Sequence, residues 1–155
     1  PKRLGSLGWV RTMPYPGFPT DAQAPLMAAA LRADGTTVFT ETIFQNRYRH
    51  VNEMARMGAR VRTEGKVAIV TGVPRLHGAS VRCTDLRGGA ALCAAALAAV
   101  GQSVIAEIHH IERGYEHLDE SLRQLGANIT RSDHETEAEE TQTEQPTTSE
   151  EGAGA

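Results

Sequence analysis

The sequence predicts an α/β fold built from two tandem copies of one βαβαββ-type unit, and three observations carry that prediction. Thr20-Asp21 and Thr84-Asp85 each introduce an Ala-rich apolar run. Landmarks around and beyond these pairs recur at nearly constant spacing: Asp21 and Asp85 lie 64 positions apart, Gly35 and Gly101 lie 66, Arg47 and Arg113 lie 66, and Gly58 and Gly126 lie 68. Within each copy, stretches with helical periodicity alternate with short stretches of strand character. Matches such as Met57-Gly58-Ala59 against Leu125-Gly126-Ala127 make chance a poor explanation. The repeats occupy about 12–83 and 84–131, within one domain of residues 1–131.

Residues 1–11 form a short basic lead with a strand signal at Trp9-Val10. Met13-Pro14-Tyr15-Pro16-Gly17-Phe18-Pro19 holds three prolines and a glycine, a stiff loop that delivers Thr20-Asp21 to a helix start. Either of those two residues can cap the helix, which runs to about 33; Pro25 is tolerated because it falls in the first turn. After Gly35, residues 36–42 are rich in Thr and Val and predict a strand. A second helix covers about 46–57 and stops at Gly58. Residues 59–62 and 66–71 form a hairpin around Glu64-Gly65, and a strand at 79–82 leads into the second Thr-Asp.

The second copy repeats this order with a helix over about 87–99, Gly101, a strand at 103–108, a helix over 114–125, Gly126 and a strand at 127–131. Residues 90–99 are apolar all round and mostly alanine, which predicts a helix buried on every side and packed closely on another helix. The helix over 114–125 is instead amphipathic, with Leu118, Leu122 and Leu125 on one face.

Hydrophobic residues make up 40% of the 155 positions, enough for one domain with its own core. Residues 132–155 hold eight acidic side chains, no Lys or Arg and no aromatic, and predict a disordered acidic tail. The whole chain has 16 basic and 19 acidic residues, a net charge of -3, whereas residues 1–131 carry 16 against 11, or +5. Fourteen of the basic residues are Arg, whose planar fork suits phosphate and carboxylate. An anionic ligand is one reading of that surplus, and a solvated mixed-charge surface is the other.

No apolar run reaches the roughly 20 residues that span a bilayer, and no leader pattern precedes the domain, so the expectation is a soluble cytoplasmic protein without a membrane partner. Cys83 and Cys93 are too few for a disulfide framework and complete no zinc site, which leaves them as reduced core thiols. His109-His110 has no third ligand at metal spacing.

Two constellations could carry chemistry. Asp21 and Asp85 stand at helix starts, where a carboxylate is ordinarily a cap. Asp21 also follows a rigid Pro-rich loop, and an aspartate held still in that way can act as a general base toward a sugar hydroxyl. Arg47, Arg87 and Arg113 all fall near helix starts, where free backbone N–H groups already favour anions. Together they could hold a phosphate and a carboxylate, although each alone is ordinarily a surface charge. Gly88-Gly89 suits either a close backbone approach to a ligand or close helix packing. Phe44 and Tyr115 could stack on a ligand ring or pack.

Four segments, Tyr15-Pro16-Gly17-Phe18-Pro19-Thr20-Asp21, Phe44-Gln45-Asn46-Arg47-Tyr48, Thr84-Asp85-Leu86-Arg87-Gly88-Gly89-Ala90 and His110-Ile111-Glu112-Arg113-Gly114-Tyr115-Glu116, occur in an order that resembles the UDP-N-acetylglucosamine enolpyruvyl transferase family. The likeness covers about 11–131. It implies the inside-out α/β enolpyruvyl transferase fold, with helices inside and sheets outside. The implied reaction moves the enolpyruvyl group of phosphoenolpyruvate onto the sugar 3-hydroxyl and releases phosphate, at the start of peptidoglycan synthesis, without cofactor or metal. By this resemblance Asp21 takes the hydroxyl proton, Arg47 and Arg87 hold the phosphoenolpyruvate carboxylate, and Arg113 is a phosphate ligand. Asp85 lies close to the reacting carbon, and the backbone of Ile43 and the ring of Phe44 face the uridine-sugar.

The sequence also departs from that pattern. Gln45 stands where the family has Glu. The family's first domain, with its loop Cys and the Lys and Arg that complete the phosphate site, has no counterpart here, nor has one unit of the second domain. Neither Cys83 nor Cys93 matches the loop Cys. The implied picture is the last two units of a larger enzyme, carrying part of an active site and inactive alone. The related shikimate-pathway transferase would show Lys-Glu-Thr-Asp-Arg where this chain has Asn46-Arg47-Tyr48-Arg49-His50. A non-catalytic anion- or nucleic-acid-binding repeat module also fits the basic core, but three Phe, three Tyr and one Trp are a thin supply for base stacking.

Overall fold

The structure is a computed structural model that describes residues 3–132. The acidic tail expected over 132–155 therefore lies, but for Ser132, outside the described residues. The elements in chain order are β1 (Trp9–Arg11), a single 3-10 turn (Thr20–Ala22), α1 (Gln23–Ala30), β2 (Thr36–Thr40), α2 (Val51–Arg56), β3 (Arg60–Glu64), β4 (Val67–Thr71), β5 (Leu76–His77), β6 (Ser80–Arg82), α3 (Leu86–Leu97), β7 (Ala99–Val100), β8 (Val104–Ala106), α4 (His109–Glu112) and α5 (Leu118–Gln124).

The first repeat realises the full βαβαββ order. β1 and β2 run parallel on either side of α1 in the chain, with Trp9 opposite Val38 and Arg11 opposite Thr40. β2 then pairs antiparallel with β4 and β4 with β3, giving the sheet order β1-β2-β4-β3. The second repeat opens in the same way, with β6 and β8 parallel across α3 and Ser80 opposite Val104, so that each repeat takes in the strand ahead of its Thr-Asp pair and starts a few residues before the expected 12 and 84. A smaller echo precedes each crossover's return: β5 pairs parallel with β7, as Gly5 bridges Asp34. The matched glycines behave alike, since Gly35 and Gly101 have φ of +97° and +95°, and Gly58 and Gly126 +84° and +93°. Gly35 and Gly58 stand where a helix gives way to a strand, Gly101 between β7 and β8, and Gly126 past the end of α5, and the left-handed backbone at each favours glycine.

α1 and α3 lie side by side and parallel. At their C-terminal ends Arg32 Nη1 donates to the Ala98 carbonyl at 2.9 Å, and at their N-terminal ends Arg87 reaches Asp21. Between those ends Ala24, Met27, Ala28 and Leu31 share one buried cluster with Ala91, Leu92 and Ala95. Alanine at these positions lets the helices approach closely, while β2 and β4 supply Phe39, Ala68 and Val70 to the outer side of the same core.

Several boundaries differ from expectation. The helix over 46–57 begins only at Val51, because Asn46 adopts a left-handed φ of +52° and residues 47–50 are turns. The helix expected over 114–125 likewise begins only at Leu118, after His117 at φ +46°, and a separate short helix, α4, lies ahead of it. Residues 127–131 form no strand. Their counterpart β3 is held by β4, and no equivalent of β4 pairs with 127–131 among the described residues, so a strand there would leave its ladder groups unpaired.

The expectation that α3 is buried all round is also overturned. Gly88, Gly89, Ala91, Leu92, Cys93 and Ala95 are buried, but Ala94 is exposed and Leu97 is 49% exposed. The helix packs on α1 along one side and on Ile111 of α4 and Cys83 through Gly89 and Cys93, while the face of Ala94 and Leu97 turns outward. Leu125, on the expected apolar face of the last helix, is 84% exposed.

Candidate active site

The stretch that leads into α1 is shaped by its prolines and by a buried acid. Thr12 N donates to the Thr40 carbonyl, and Met13 N to the Phe18 carbonyl, so the Pro-rich loop folds back beside the end of β2. There Glu41, 1% exposed, receives four hydrogen bonds: from Thr12 Oγ1 (3.0 Å), Thr20 Oγ1 (2.9 Å), Ile43 N (2.8 Å) and Phe44 N (3.1 Å). Burial alone pushes the Glu41 carboxyl up, but these donors, led by the Ile43 N–H, outweigh it and hold the group below its usual range. Glu41 thereby ties the segment carrying Asp21 to the segment carrying Phe44 and Arg47.

Neither Thr20 nor Asp21 caps the first helix. The 3-10 turn starts after Pro19 and α1 after Ala22, and neither start has a side-chain cap. Both residues are otherwise engaged, Thr20 with Glu41 and Asp21 with two guanidiniums. Arg47 Nη2 lies 3.0 Å from Asp21 Oδ1, and Arg87 Nη2 lies 3.1 Å from Asp21 Oδ2. Each guanidinium rests against an aromatic ring, Arg47 over Phe44 at 5.1 Å and Arg87 over Tyr115 at 5.6 Å. Arg87 Nη1 also donates to the Tyr115 hydroxyl at 3.0 Å, and this bond, ahead of that to Asp21, raises the Arg87 pKa further. Phe44 and Tyr115 therefore back the two arginines.

Asp85 takes the capping role. Its Oδ1 accepts from Gly88 N at 2.8 Å, and Thr84 Oγ1 donates to its Oδ2 at 3.2 Å. Arg113 stands at the end of α4, exposed, and its side chain makes no hydrogen bond or ion pair among the described residues. It is placed at the same edge by Gly114, which packs against Leu86 at the start of α3. Ile43 is 39% exposed beside Phe44, with its N–H spent on Glu41. The structure thus joins Asp21, Arg47 and Arg87 directly, sets Phe44 and Ile43 next to them, and leaves Arg113 apart.

Gly88 and Gly89 serve packing. A Cβ on Gly88 would lie 2.9 Å from His50 Cβ, and one on Gly89 would lie 2.7 Å from Ile111 Cγ1 and 3.0 Å from Cys83 Sγ. Gly89→Ala should therefore cost about 1–3 kcal/mol by overpacking. Urea unfolding checks this, and an unchanged midpoint would return Gly89 to the ligand-approach reading.

The structure also reveals buried polar groups that the sequence did not single out. His50 and Gln23 are both 0% exposed, and neither the His50 ring nitrogens nor the Gln23 amide atoms have a protein hydrogen-bond partner. Burial, reinforced by Arg47 and opposed by Asp85, pushes the His50 pKa down to about 4. Cys83 and Cys93 are buried free thiols, pushed up chiefly by burial to about 12 and about 11, which makes them poor nucleophiles. Among the described residues no group of three or more His, Cys, Asp or Glu side chains could hold a metal ion, and no helix is long and apolar enough to cross a membrane.

Chemically, this is an anion cradle with an acid in it. The N-terminal ends of two parallel helices open here, which favours negative charge, and two guanidiniums add fixed donors. One carboxylate lies against two guanidiniums.

The family model described as EPSP synthase (3-phosphoshikimate 1-carboxyvinyltransferase) matches residues 2–122. UDP-N-acetylglucosamine 1-carboxyvinyltransferase 1 of Symbiobacterium thermophilum is 53% identical over 131 residues, which cover 84% of this chain and 30% of that protein. UDP-N-acetylglucosamine 1-carboxyvinyltransferase of Desulfofundulus thermocisternus is 51% identical over 126 residues, covering 81% of this chain and 52% of that protein. Among solved structures, the enolpyruvyl transferase NikO from Streptomyces tendae superposes with a TM-score of 0.73 at 32% identity, over 81% of this chain and 28% of that one. EPSP synthase from Acinetobacter baumannii, with a TM-score of 0.57 at 20% identity over 73% and 27%, shares the fold. The chain spans about 30% of the length of most of the curated relatives it matches.

Proposed function

Because the chain belongs to the EPSP synthase (3-phosphoshikimate 1-carboxyvinyltransferase) family, we propose that it supplies one wall of a cleft in which an enolpyruvyl group passes from phosphoenolpyruvate to the 3-hydroxyl of UDP-N-acetylglucosamine, with release of phosphate. The observation that supports this reading best is the convergence of Arg47 and Arg87, from two different repeats, on the carboxylate of Asp21. Two guanidiniums set one on each carboxylate oxygen form a slot for a planar three-atom anion. The names of relatives at 51–53% identity, and Asn46-Arg47-Tyr48-Arg49-His50 in place of a shikimate-type signature, support the choice of acceptor.

In this reading Arg47 and Arg87 orient the phosphoenolpyruvate carboxylate and Arg113 binds its phosphate. Asp21 removes the proton of the sugar hydroxyl as its oxygen attacks C2 of phosphoenolpyruvate and a proton adds to C3; departure of phosphate from C2 with loss of a C3 proton then restores the double bond. The addition passes through an oxocarbenium-like centre to a tetrahedral adduct, and fixed charges around it are the main catalytic device. Asp85, immobilised as the cap of α3, flanks that carbon. Ile43 and Phe44 present backbone and ring to the uridine-sugar. The opposing wall belongs to a preceding domain of the same enzyme, and the setting is peptidoglycan synthesis in the cytoplasm.

Release of inorganic phosphate tests the reading. The 155-residue chain with both substrates should release none above background. Joined to a polypeptide carrying the opposing wall, it should release phosphate with UDP-N-acetylglucosamine as acceptor and not with shikimate 3-phosphate. Full turnover by the chain alone would refute the one-wall reading, and preference for shikimate 3-phosphate would refute the acceptor.

A further inference from the structure

The carboxylate that lies against Arg47 and Arg87 belongs to the protein itself. Both oxygens of Asp21 are engaged, one by each guanidinium, at 3.0 and 3.1 Å. The three side chains are not equally fixed. Arg47 and Arg87 are 22% and 29% exposed and are backed by Phe44 and Tyr115, whereas the Asp21 side chain is 58% exposed and sits on a 3-10 turn without a cap. The arginines are the walls of the slot, and the aspartate enters it from the solvent side.

We propose that Asp21 is an exchangeable internal ligand of the Arg47–Arg87 pair, which the carboxylate of the incoming substrate displaces, so that occupation of the slot frees the base. This rests on the reading of the site given above and adds a coupling to it. Two guanidiniums facing one another across an open slot repel, and a single acid between them neutralises half of that charge. A ligand carboxylate takes over both bonds, so it enters only at the expense of the Asp21 contacts. Its apparent affinity is reduced by the fraction of molecules in which the slot is already filled. In return, Asp21 loses both guanidinium partners at the moment when the enolpyruvyl donor is in place. A base otherwise masked by two cations becomes available for a hydroxyl proton only when there is something for that hydroxyl to attack.

The 155-residue chain is titrated with phosphoenolpyruvate alone and, separately, with inorganic phosphate, followed by calorimetry and by the guanidinium proton resonances of Arg47 and Arg87. Asp21→Asn and Asp21→Ala should each bind phosphoenolpyruvate about tenfold more tightly than the unaltered chain, with no such gain for phosphate. In the unaltered chain, saturating phosphoenolpyruvate should shift the Arg47 and Arg87 resonances and the Asp21 side-chain carbon together. Binding by the unaltered chain with no gain, or a loss, in both variants overturns the exchange while leaving the site reading intact. An equal gain for phosphate overturns it too, as that would be a general charge effect. Absence of any phosphoenolpyruvate binding, in the variants as well, sinks both the exchange and the site.

Discussion

Asp21→Asn, introduced into a polypeptide that carries both walls of the cleft, should lower kcat by about 10²–10⁴ while the KM for phosphoenolpyruvate falls instead of rising. The two effects come from the two positions of one side chain. In the resting site Asp21 bridges Arg47 and Arg87, and an amide holds those guanidiniums less tightly than a carboxylate does. The slot is then easier to enter. In the reacting complex the same residue is asked to take a proton, which an amide cannot do. A structural role would weaken binding and turnover together, because a disordered slot serves neither. Steady-state kinetics with phosphoenolpyruvate as the varied substrate separates the cases: near-normal kcat removes Asp21 from the base role, and a raised KM removes it from the slot.

Much of this site was legible because its residues took part in the repeat. Asp21, Asp85, Arg47 and Arg113 could be picked out because Thr-Asp and Arg recur at spacings of 64 and 66 beside glycines of left-handed backbone, whereas Arg87 stood out only as the base two positions after Asp85. The same spacing of 66 also joins Glu41 to Glu107, and it could have led to Glu41. The two acids have diverged: Glu41 is enclosed by four donors, whereas Glu107 is half exposed, 3.8 Å from Arg82. What decides that difference is the pair Thr12 and Thr20, brought to Glu41 by the Pro-rich loop, and no local pattern announces such a meeting. His50 and Gln23 left no signal at all, since single buried polar groups have no period. The burial of α3 was misread for a different reason. An all-apolar run has no polar stripe to mark an outward face, and here α1, Ile111 of α4 and Cys83 cover the helix without reaching Ala94 and Leu97. In the same way, residues 127–131 have strand composition but no paired partner among the described residues, and composition without a partner does not make a strand.

The largest effect on stability should come from acid, and it should trace to His50. This side chain is 0% exposed, with neither ring nitrogen bonded to another protein group, and burial holds its pKa at about 4 against an unfolded value of 6.5. The sign follows from which state binds the proton. Between 6.5 and about 4 the unfolded chain protonates His50 and the folded chain does not, so unfolding takes up a proton and is favoured as pH falls. At about 1.4 kcal/mol per pH unit, the loss across that window is roughly 3 kcal/mol, a large share of a small domain's margin. Glu41 extends the loss further down. Its folded pKa lies below the 4.5 of the unfolded chain, so the stability that its ionised form contributes is fully present above 4.5 and disappears as pH falls through the folded value. Urea unfolding at pH 7, 5.5 and 4 should show stability declining steadily from just below neutrality, well before ordinary carboxylates titrate. His50→Leu provides the control that assigns the effect. An apolar residue there replaces unbonded polar atoms and leaves no donor or acceptor stranded, so it should change neutral-pH stability little. It should also abolish the slope between pH 6.5 and about 4.5, below which Glu41 takes over. A wild-type profile that is flat in this window, or a slope that survives in His50→Leu, would show that His50 is protonated or solvated in the folded state.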